Sequence, residues 1–348
     1  MRRDVNKLLT IVIGLFLLGW SPVGGAEKER PLAVQPTPQW VTPAVQAPRL
    51  QRRIFYSATA QSNVSYHIYS PEVYDAYVEQ RFPVLYWLHG TGGGLIGIPQ
   101  LVNHFDAAIR AGKMPPALIV FPNGMVESMW CDSKDGSVPM ETVVVNELVP
   151  HIDGTFRTIA SRESRLIEGF SMGGYGAARM GFKRHDVFDA VSMFGAGPLQ
   201  PVFSPLIGPP NLAEARARVL LNVYGNDQEY FKAQSPWALA EQNTAALRGK
   251  TRVRQIVGGS DDLLMFNRDF DEHLTQLAIP HTFIEAPGIG HDVMGIFNAL
   301  GEDNWEFYRS VFSPRVPPRV PPRIPRETPK TLPHRTPTGG GDGAPGQG

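Results

Sequence analysis

One serine lies between a short apolar run and a stretch of small residues, and this arrangement restricts the possible folds of the chain more than any other feature. Residues 165–168 read Arg-Leu-Ile-Glu, residues 169–173 read Gly-Phe-Ser-Met-Gly, and residues 174–178 read Gly-Tyr-Gly-Ala-Ala. The first run is typical of a buried strand, and the last predicts the start of a helix. A sharp strand-to-helix turn needs small neighbours, because larger side chains would collide with the adjacent backbone. The segment therefore predicts a strand, a strained turn that presents Ser171, and a helix whose N-terminus faces that serine.

Short apolar runs and longer amphipathic stretches alternate from about residue 50 to residue 312. Strands are predicted at 82–88, 117–121, 165–168, 188–194, 253–257 and 281–285, with an antiparallel edge from 52–58 and 63–69. Helices are predicted at about 98–112, 139–158, 172–183, 235–248, 263–277 and 292–310. Such alternation implies an α/β fold with a mainly parallel central sheet and helices on both faces.

The motif Gly-x-Ser-x-Gly in this setting indicates a catalytic serine of the α/β-hydrolase kind. A second loop supports that interpretation, since His-Gly-Thr-Gly-Gly-Gly at 89–94 directly follows a predicted strand. In such enzymes this loop and the residue after the serine supply the backbone N–H groups that bind the oxyanion. Here the donors would be Thr91 or Gly90 together with Met172. No Gly-Lys-Ser/Thr accompanies the glycines, which argues against a nucleotide-binding loop.

A general base for Ser171 is expected after the last strand, because the order along the chain is serine, acid, histidine. His291 meets that expectation in the loop Pro-Gly-Ile-Gly-His-Asp at 287–292. His151, His185, His273 and His281 fall inside predicted helices or strands and are interpreted as structural. Asp292, next to the candidate base, is interpreted as a helix cap.

The acid that orients His291 has three candidates. Asp262 is preferred, because the loop Gly-Gly-Ser-Asp-Asp at 258–262 ends the predicted strand before the histidine strand. Asp261 in the same loop and Asp227, after a segment at 219–223 that could also be a strand, remain open.

Composition excludes several other kinds of protein. The formal net charge is zero, so nothing suggests a nucleic-acid partner. The only cysteine, Cys131, allows neither an intramolecular disulfide nor a cysteine metal cluster. Its neighbour Asp132 would raise a thiol pKa, which argues against a nucleophilic role. A serine hydrolase of this type needs no metal and no organic cofactor.

The two ends of the chain read as segments outside the folded domain. Residues 1–26 combine a positive start, an apolar run of about 13 residues and small residues before Glu27, which is typical of a signal peptide. An uncleaved N-terminal anchor is the alternative, and either would place the protein in a secreted or periplasmic location. Residues 27–49 are interpreted as a Pro-rich linker, 50–312 as the α/β-hydrolase domain, and 313–348 as a disordered Pro/Arg/Gly-rich tail.

These motifs together resemble the esterase-D-type branch of the α/β-hydrolases, which includes feruloyl and acetyl-xylan esterases, formylglutathione hydrolases and mycolyltransferases. The resemblance covers about residues 52–310 and rests on the segments at 83–90, 147–157, 169–177, 235–240, 259–262 and 287–292. It implies a serine carboxylic-ester hydrolase without cofactors. The family's acid on Gly-x-x-Asp maps to Asp262 when counted from Gly259, and the pattern makes 211–230 helix and loop.

The expected activity is hydrolysis of acyl esters of carbohydrates or other small esters through a Ser171–His291–Asp262 triad and an acyl-enzyme. Trp130 and Trp237 lie in predicted loops that could line the substrate pocket. Two alternatives share the same motifs. One is acyl transfer to a carbohydrate hydroxyl, and the other is a non-catalytic cell-wall binding module. The expected partner of the enzyme is a small-molecule or carbohydrate ester, whereas the binding module would attach to cell-wall polysaccharide through the basic tail. No transmembrane segment is expected once the signal is removed.

Overall fold

Eight strands form one sheet at the centre of the molecule. The computed structural model describes residues 37–208 and 210–312, so the predicted signal peptide and the tail from 313 lie outside the described residues. The strands are Leu50–Ser57 (β1), Ser62–Tyr69 (β2), Val84–Leu88 (β3), Leu118–Pro122 (β4), Arg165–Phe170 (β5), Ala190–Phe194 (β6), Arg252–Gly258 (β7) and His281–Ala286 (β8). Their order in the sheet is β1-β2-β4-β3-β5-β6-β7-β8. The β1–β2 and β2–β4 pairs are antiparallel and the rest are parallel, which confirms the predicted α/β-hydrolase arrangement.

Helices follow most of the parallel strands. They are Val73–Ala76 (α1), Ile98–Arg110 (α2), Met140–Thr142 (α3), Val149–Thr155 (α4), Met172–Lys183 (α5), Ala213–Asn222 (α6), Gln228–Gln234 (α7), Pro236–Gln242 (α8), Thr244–Lys250 (α9), Leu264–Gln276 (α10) and Val293–Phe312 (α11). A π-helical stretch, Val143–Leu148, joins α3 to α4. The single helix predicted at 235–248 is two helices, because the chain breaks at Asn243, whose side-chain amide donates to the carbonyl of Leu239. The segment 219–223 lies in and just after α6, so the strand alternative for it is wrong.

Alternation along the strands divides the core between the two faces of the sheet. In β3, Val84 and Tyr86 belong to one buried cluster, whereas Leu85 and Trp87 belong to the other. Helices α5, α8 and α10 cover the first face, and α2 and α11 cover the second. All five residues of β3 are buried, as parallel strands covered on both faces should be. No helix in the described ranges is long and apolar enough to cross a membrane.

The segment from residue 38 to residue 49 is part of the folded domain, so the predicted linker is wrong for this stretch. Trp40 is only 5% exposed and packs in the core. Its carbonyl accepts the N–H of Ser65 at 2.9 Å, and the Val45 N–H donates to His67 Nε2 at 3.3 Å. The Pro-rich composition suggested a linker, but the buried indole of Trp40 fixes this extended segment to the domain. Residues 27–36 lie outside the described residues.

Candidate active site

The predicted nucleophile lies at a strained turn between β5 and α5. Ser171 has φ 58° and ψ −121°, a combination that costs non-glycine residues about 1–3 kcal/mol. The turn is tight against β3, because a Cβ atom at Gly173 would lie 1.9 Å from the carbonyl oxygen of Leu88. A Cβ at Gly169 would lie 2.4 Å from the carbonyl carbon of Gly173. The two glycines of the motif are therefore required by close backbone approach, as the sequence predicted.

The predicted base and a carboxylate are hydrogen-bonded to each other. His291 Nδ1 lies 2.7 Å from Oδ2 of Asp261, and the Asp261 side chain is 1% exposed. Oδ1 of Asp261 accepts the N–H of Leu263 at 2.9 Å, so both carboxylate oxygens have partners. The structure thus brings His291 together with Asp261, which sequence reasoning kept only as an alternative, and the choice of Asp262 is wrong.

The turn after β7 explains this difference of one residue. Asp261 donates its N–H to the carbonyl of Gly258 at 3.0 Å, and this tight turn directs its side chain inward while Asp262 is exposed. The pattern Gly-x-x-Asp fits Asp261 when it is counted from Gly258 rather than from Gly259. Asp227, the third candidate, caps α7 by accepting two backbone N–H groups.

The imidazole and the serine lie at the same edge of the sheet, where the parallel strands end: Ser171 follows β5, and His291 follows β8. The ring of His291 lies against that of Phe170, the residue before Ser171, with centroids 4.4 Å apart. A Cβ at Gly195, just after β6, would lie 3.3 Å from His291 Cε1 and 3.1 Å from Asp261 Oδ2. Within the described part of the chain, Ser171 Oγ makes no hydrogen bond. Catalytic hydrogen bonds are often long in the free enzyme and shorten when substrate binds.

Backbone amides of the predicted oxyanion loop lie beside the serine. A Cβ at Gly90 would lie 3.1 Å from Ser171 Cβ and 3.7 Å from its Oγ. Thr91 is exposed, and Met172 is the first residue of α5. Among the described residues, none of these three N–H groups donates to a protein acceptor. Amides with no partner at a helix N-terminus beside a nucleophile can bind a developing negative charge.

His89 holds this loop from inside. The Gly124 N–H donates to His89 Nε2 at 3.0 Å, so the ring proton is on Nδ1, which donates to the carbonyl of Gly90 at 2.7 Å. Burial lowers the pKa of His89 to about 4, although the bond to Gly90 acts in the opposite direction. The neutral imidazole therefore keeps one acceptor and one donor, and both are used.

Two aromatic residues predicted to line the pocket have other contacts. Trp130 is fully buried, so its side chain cannot touch a substrate in this structure and the prediction for it is wrong. The partly buried Trp237 donates its indole N–H to the carbonyl of Leu199 at 2.9 Å and packs on Phe270. Its role at the pocket stays a prediction. Cys131 is buried, and burial raises the pKa of its thiol to about 11, which is the wrong direction for a nucleophile.

Two of the histidines that were interpreted as structural, His151 and His281, have structural partners. His151 Nε2 bonds the Tyr66 hydroxyl at 3.0 Å, and His281 Nε2 bonds Asp271 at 2.7 Å. In the described ranges, no three His, Cys, Asp or Glu side chains are grouped so that they could hold a metal ion.

Buried histidines predict a loss of stability in mild acid. Burial lowers the pKa of both His67 and His89 to about 4, and the charge of Arg52 adds to the effect at His67. An unfolded histidine has a pKa of about 6.5, so between pH 6.5 and 4 the unfolded chain binds protons that the folded chain does not. The contribution of the two neutral histidines to the free energy of unfolding is therefore complete above pH 6.5 and is lost as the pH falls from 6.5 to 4. We expect about one proton of uptake on unfolding from each histidine near pH 5.

Urea titrations of the wild-type protein and of His67→Gln between pH 7 and 5 measure this contribution. The slope of the free energy of unfolding against pH should be smaller for the variant. The difference should correspond to about one proton fewer taken up on unfolding. Comparison with the variant is needed because Glu168 acts in the opposite sense, since burial raises its pKa. Parallel pH profiles for the two proteins would contradict the assignment.

Known proteins that are similar to this chain are described as esterases. The family described as "Putative esterase" matches residues 57–316. Esterase Rv1288 of Mycobacterium tuberculosis (strain ATCC 25618 / H37Rv) is 30% identical over 268 residues, which cover 70% of this chain and 56% of that protein. The chain thus spans about half the length of the curated relatives it matches.

Solved structures share the fold. A ferulic acid esterase superposes with a TM-score of 0.62 at 23% identity, covering 76% of this chain and 98% of the other. FphF of Staphylococcus aureus, described as a fluorophosphonate-binding serine hydrolase, superposes with a TM-score of 0.59 at 16% identity, covering 74% and 97%. Because the sequence identities are low, these superpositions show that the fold is shared and nothing more specific.

Proposed function

We propose that this chain, because it belongs to the esterase family, hydrolyses carboxylic esters through an acyl-enzyme formed on Ser171. One observation carries the proposal. His291, whose Nδ1 is bonded to the buried carboxylate of Asp261 at 2.7 Å, lies against the residue that precedes the strained serine. That bond leaves Nε2 of the imidazole as the atom available to take the serine proton.

The proposed reaction has two halves, acylation of Ser171 and hydrolysis of the acyl-enzyme. Nε2 of His291 takes the proton of Ser171 Oγ as the oxygen attacks the ester carbonyl carbon, and the N–H groups of Met172 and of Gly90 or Thr91 bind the resulting oxyanion. The intermediate collapses, and the leaving alkoxide receives the proton from His291. Water then attacks the acyl-enzyme and gives a proton to the same histidine. The second intermediate collapses to release the acid, and Ser171 Oγ takes the proton back from His291. Asp261 orients the imidazole and stabilises its charged form.

The substrate is an ester with an apolar acyl group, because apolar side chains are exposed at the edge of the sheet that carries Ser171. Thr91 and His291 are exposed, so the site is open to solvent. Segments that follow the parallel strands at this edge of the sheet carry exposed apolar side chains: Ile96 after β3, Val126 after β4, Leu206 after β6 and Met265 in the first turn of α10. Ferulic acid is an apolar aromatic acid, so the name of the ferulic acid esterase that shares the fold is compatible with this class, and acyl esters of carbohydrates belong to the proposal. The signal-peptide pattern of residues 1–26 supports action outside the cytoplasm.

Covalent labelling tests the proposal. A fluorophosphonate transfers its phosphonyl group to an activated serine oxygen with loss of fluoride, because the reaction resembles the first half of ester cleavage. We expect one adduct on the full chain, located by mass spectrometry on the peptide that contains Ser171, and none on His291→Ala. An unlabelled wild-type protein, or an adduct elsewhere, would exclude Ser171 as the nucleophile.

A panel of esters then defines the substrate class. Methyl ferulate, short-chain nitrophenyl esters and acetylated xylo-oligosaccharides are compared by kcat/KM, with product acid measured directly. Release of acid in proportion to alcohol supports hydrolysis, whereas appearance of a new sugar ester at the expense of acid would indicate acyl transfer.

A further inference from the structure

We propose that Trp130 is a positioning residue that fixes the oxyanion loop through its indole N–H. The inference rests on the proposed function, since it concerns how the N–H groups that bind the oxyanion are held. Trp130 is fully buried and separated from Ser171 in sequence by 41 positions, so it acts through other residues rather than on substrate.

The key contact is with the peptide that joins His89 to Gly90. Trp130 Nε1 donates to the carbonyl oxygen of His89 at 3.1 Å. In a planar trans peptide the carbonyl oxygen and the following N–H point in opposite directions. A hydrogen bond that holds the oxygen therefore also sets the direction of the Gly90 N–H. The backbone of Gly90 is the part of the loop that packs against Ser171.

The next peptide is held in the same way by His89. Its Nδ1 donates to the carbonyl of Gly90, which sets the direction of the Thr91 N–H. The rings of His89 and Trp130 contact each other edge to face, with centroids 5.0 Å apart. The N–H groups of Gly90 and Thr91 are thus oriented by hydrogen bonds to the carbonyl oxygens of the same two peptides. The indole of Trp130 bonds the first peptide directly and packs against the His89 ring that bonds the second.

Trp130 also joins this loop to the helix that carries the other oxyanion donor. A Cβ at Gly124, whose N–H bonds His89, would lie 2.3 Å from the indole ring, and a Cβ at Gly176 in α5 would lie 2.6 Å from it. The ring therefore fills the space between the loop after β4 and the first turns of α5. Met172 begins the same helix, so the indole contacts both elements that supply the oxyanion donors.

The main chain of Trp130 is itself held in place. Trp130 has φ 52°, a left-handed conformation that a large residue adopts only when its surroundings require it. Its N–H donates to Ser128 Oγ at 3.1 Å, and its carbonyl accepts from Arg179 at 2.8 Å. Arg179 is fully buried on α5 and is paired with Glu141 at 2.6 Å. Because breaking a buried ion pair is costly, this arrangement resists movement of the indole.

Removing only the indole N–H tests the proposal on the full chain. Trp130→Phe keeps an aromatic ring but loses the donor, and 3-benzothienylalanine at the same position keeps the bicyclic shape and also loses it. We expect kcat for ester hydrolysis to fall about tenfold to a hundredfold in both variants, with KM within about twofold of wild type. The rate of fluorophosphonate labelling should fall in parallel, because the phosphonyl oxygen occupies the same site.

Tyr69→Phe is the matched control. It also removes one donor from a buried ring, since the Tyr69 hydroxyl bonds Asp106 at 2.7 Å between β2 and α2, away from the serine. Its melting temperature should fall while kcat stays at the wild-type value. A purely structural role for Trp130 would give the same pattern, with lower stability and unchanged kcat, and so would overturn the proposal. The benzothienylalanine variant decides the case if Trp130→Phe is too unstable to assay.

The wild-type protein separates this inference from the proposed function. If the wild-type chain neither hydrolyses esters nor accepts the probe on Ser171, the proposed function fails. If it does both and the benzothienylalanine variant is equally fast, only the role of Trp130 fails.

Discussion

Ser171→Ala should lower kcat/KM for ester hydrolysis by about 10⁴-fold or more while the fold is retained. Removal of the hydroxyl eliminates the acyl-enzyme, and the remaining rate comes from the oxyanion amides and substrate binding alone. Alanine keeps the Cβ atom, so the backbone contacts of the turn with β3 are unchanged. The measurement is steady-state hydrolysis of a nitrophenyl ester, with the melting temperature recorded in parallel.

Ser171→Gly is the control that separates chemistry from strain. Glycine adopts φ 58° without the steric cost that serine and alanine share. We therefore expect Ser171→Gly to be as inactive as Ser171→Ala but to melt at a higher temperature. An alanine variant that keeps its activity would eliminate Ser171 as nucleophile, and equal melting temperatures would show that the turn carries little strain.

The fold could be predicted from sequence because periodicity and turn chemistry agree over the whole domain. Every predicted apolar run became a strand, and the antiparallel edge at β1 and β2 was also predicted. The segment 219–223 shows the limit of this approach. A run of five residues such as Val-Leu-Leu-Asn-Val suits a strand or a helix turn equally. In the structure it ends α6, and the Val223 N–H donates to the carbonyl of Val219 at 2.9 Å.

Part of the candidate site could not be predicted, because sequence shows which loop carries a group but not which way a side chain points. Ser171 follows β5 and His291 follows β8, the positions expected from motifs that each contain a single residue of the required type. The loop after β7 contains two adjacent aspartates, and a tight turn, in which the Asp261 N–H donates to the carbonyl of Gly258, buries Asp261 and exposes Asp262. Trp130 was misplaced for a related reason, because a loop residue can lie beneath the surface when its polar atoms all find partners.

The two adjacent aspartates allow a direct test of the corrected triad. Asp261→Asn should lower kcat by about 10³- to 10⁴-fold, because an amide can donate to Nδ1 and so favours the tautomer that cannot take the serine proton. The side chain keeps its shape, and its carbonyl oxygen can still accept the N–H of Leu263, so the melting temperature should change little. The measurement is kcat for a nitrophenyl ester at neutral pH.

Asp262→Asn is the matched control, since it makes the same chemical change one residue along the same loop. Its side chain is exposed and lies outside the hydrogen bond to His291, so kcat should remain within about twofold of wild type. The double variant should be no slower than Asp261→Asn alone, because only one of the two carboxylates orients the imidazole. A larger loss from Asp262→Asn than from Asp261→Asn would return the acid to residue 262 and require the loop after β7 to rearrange during catalysis.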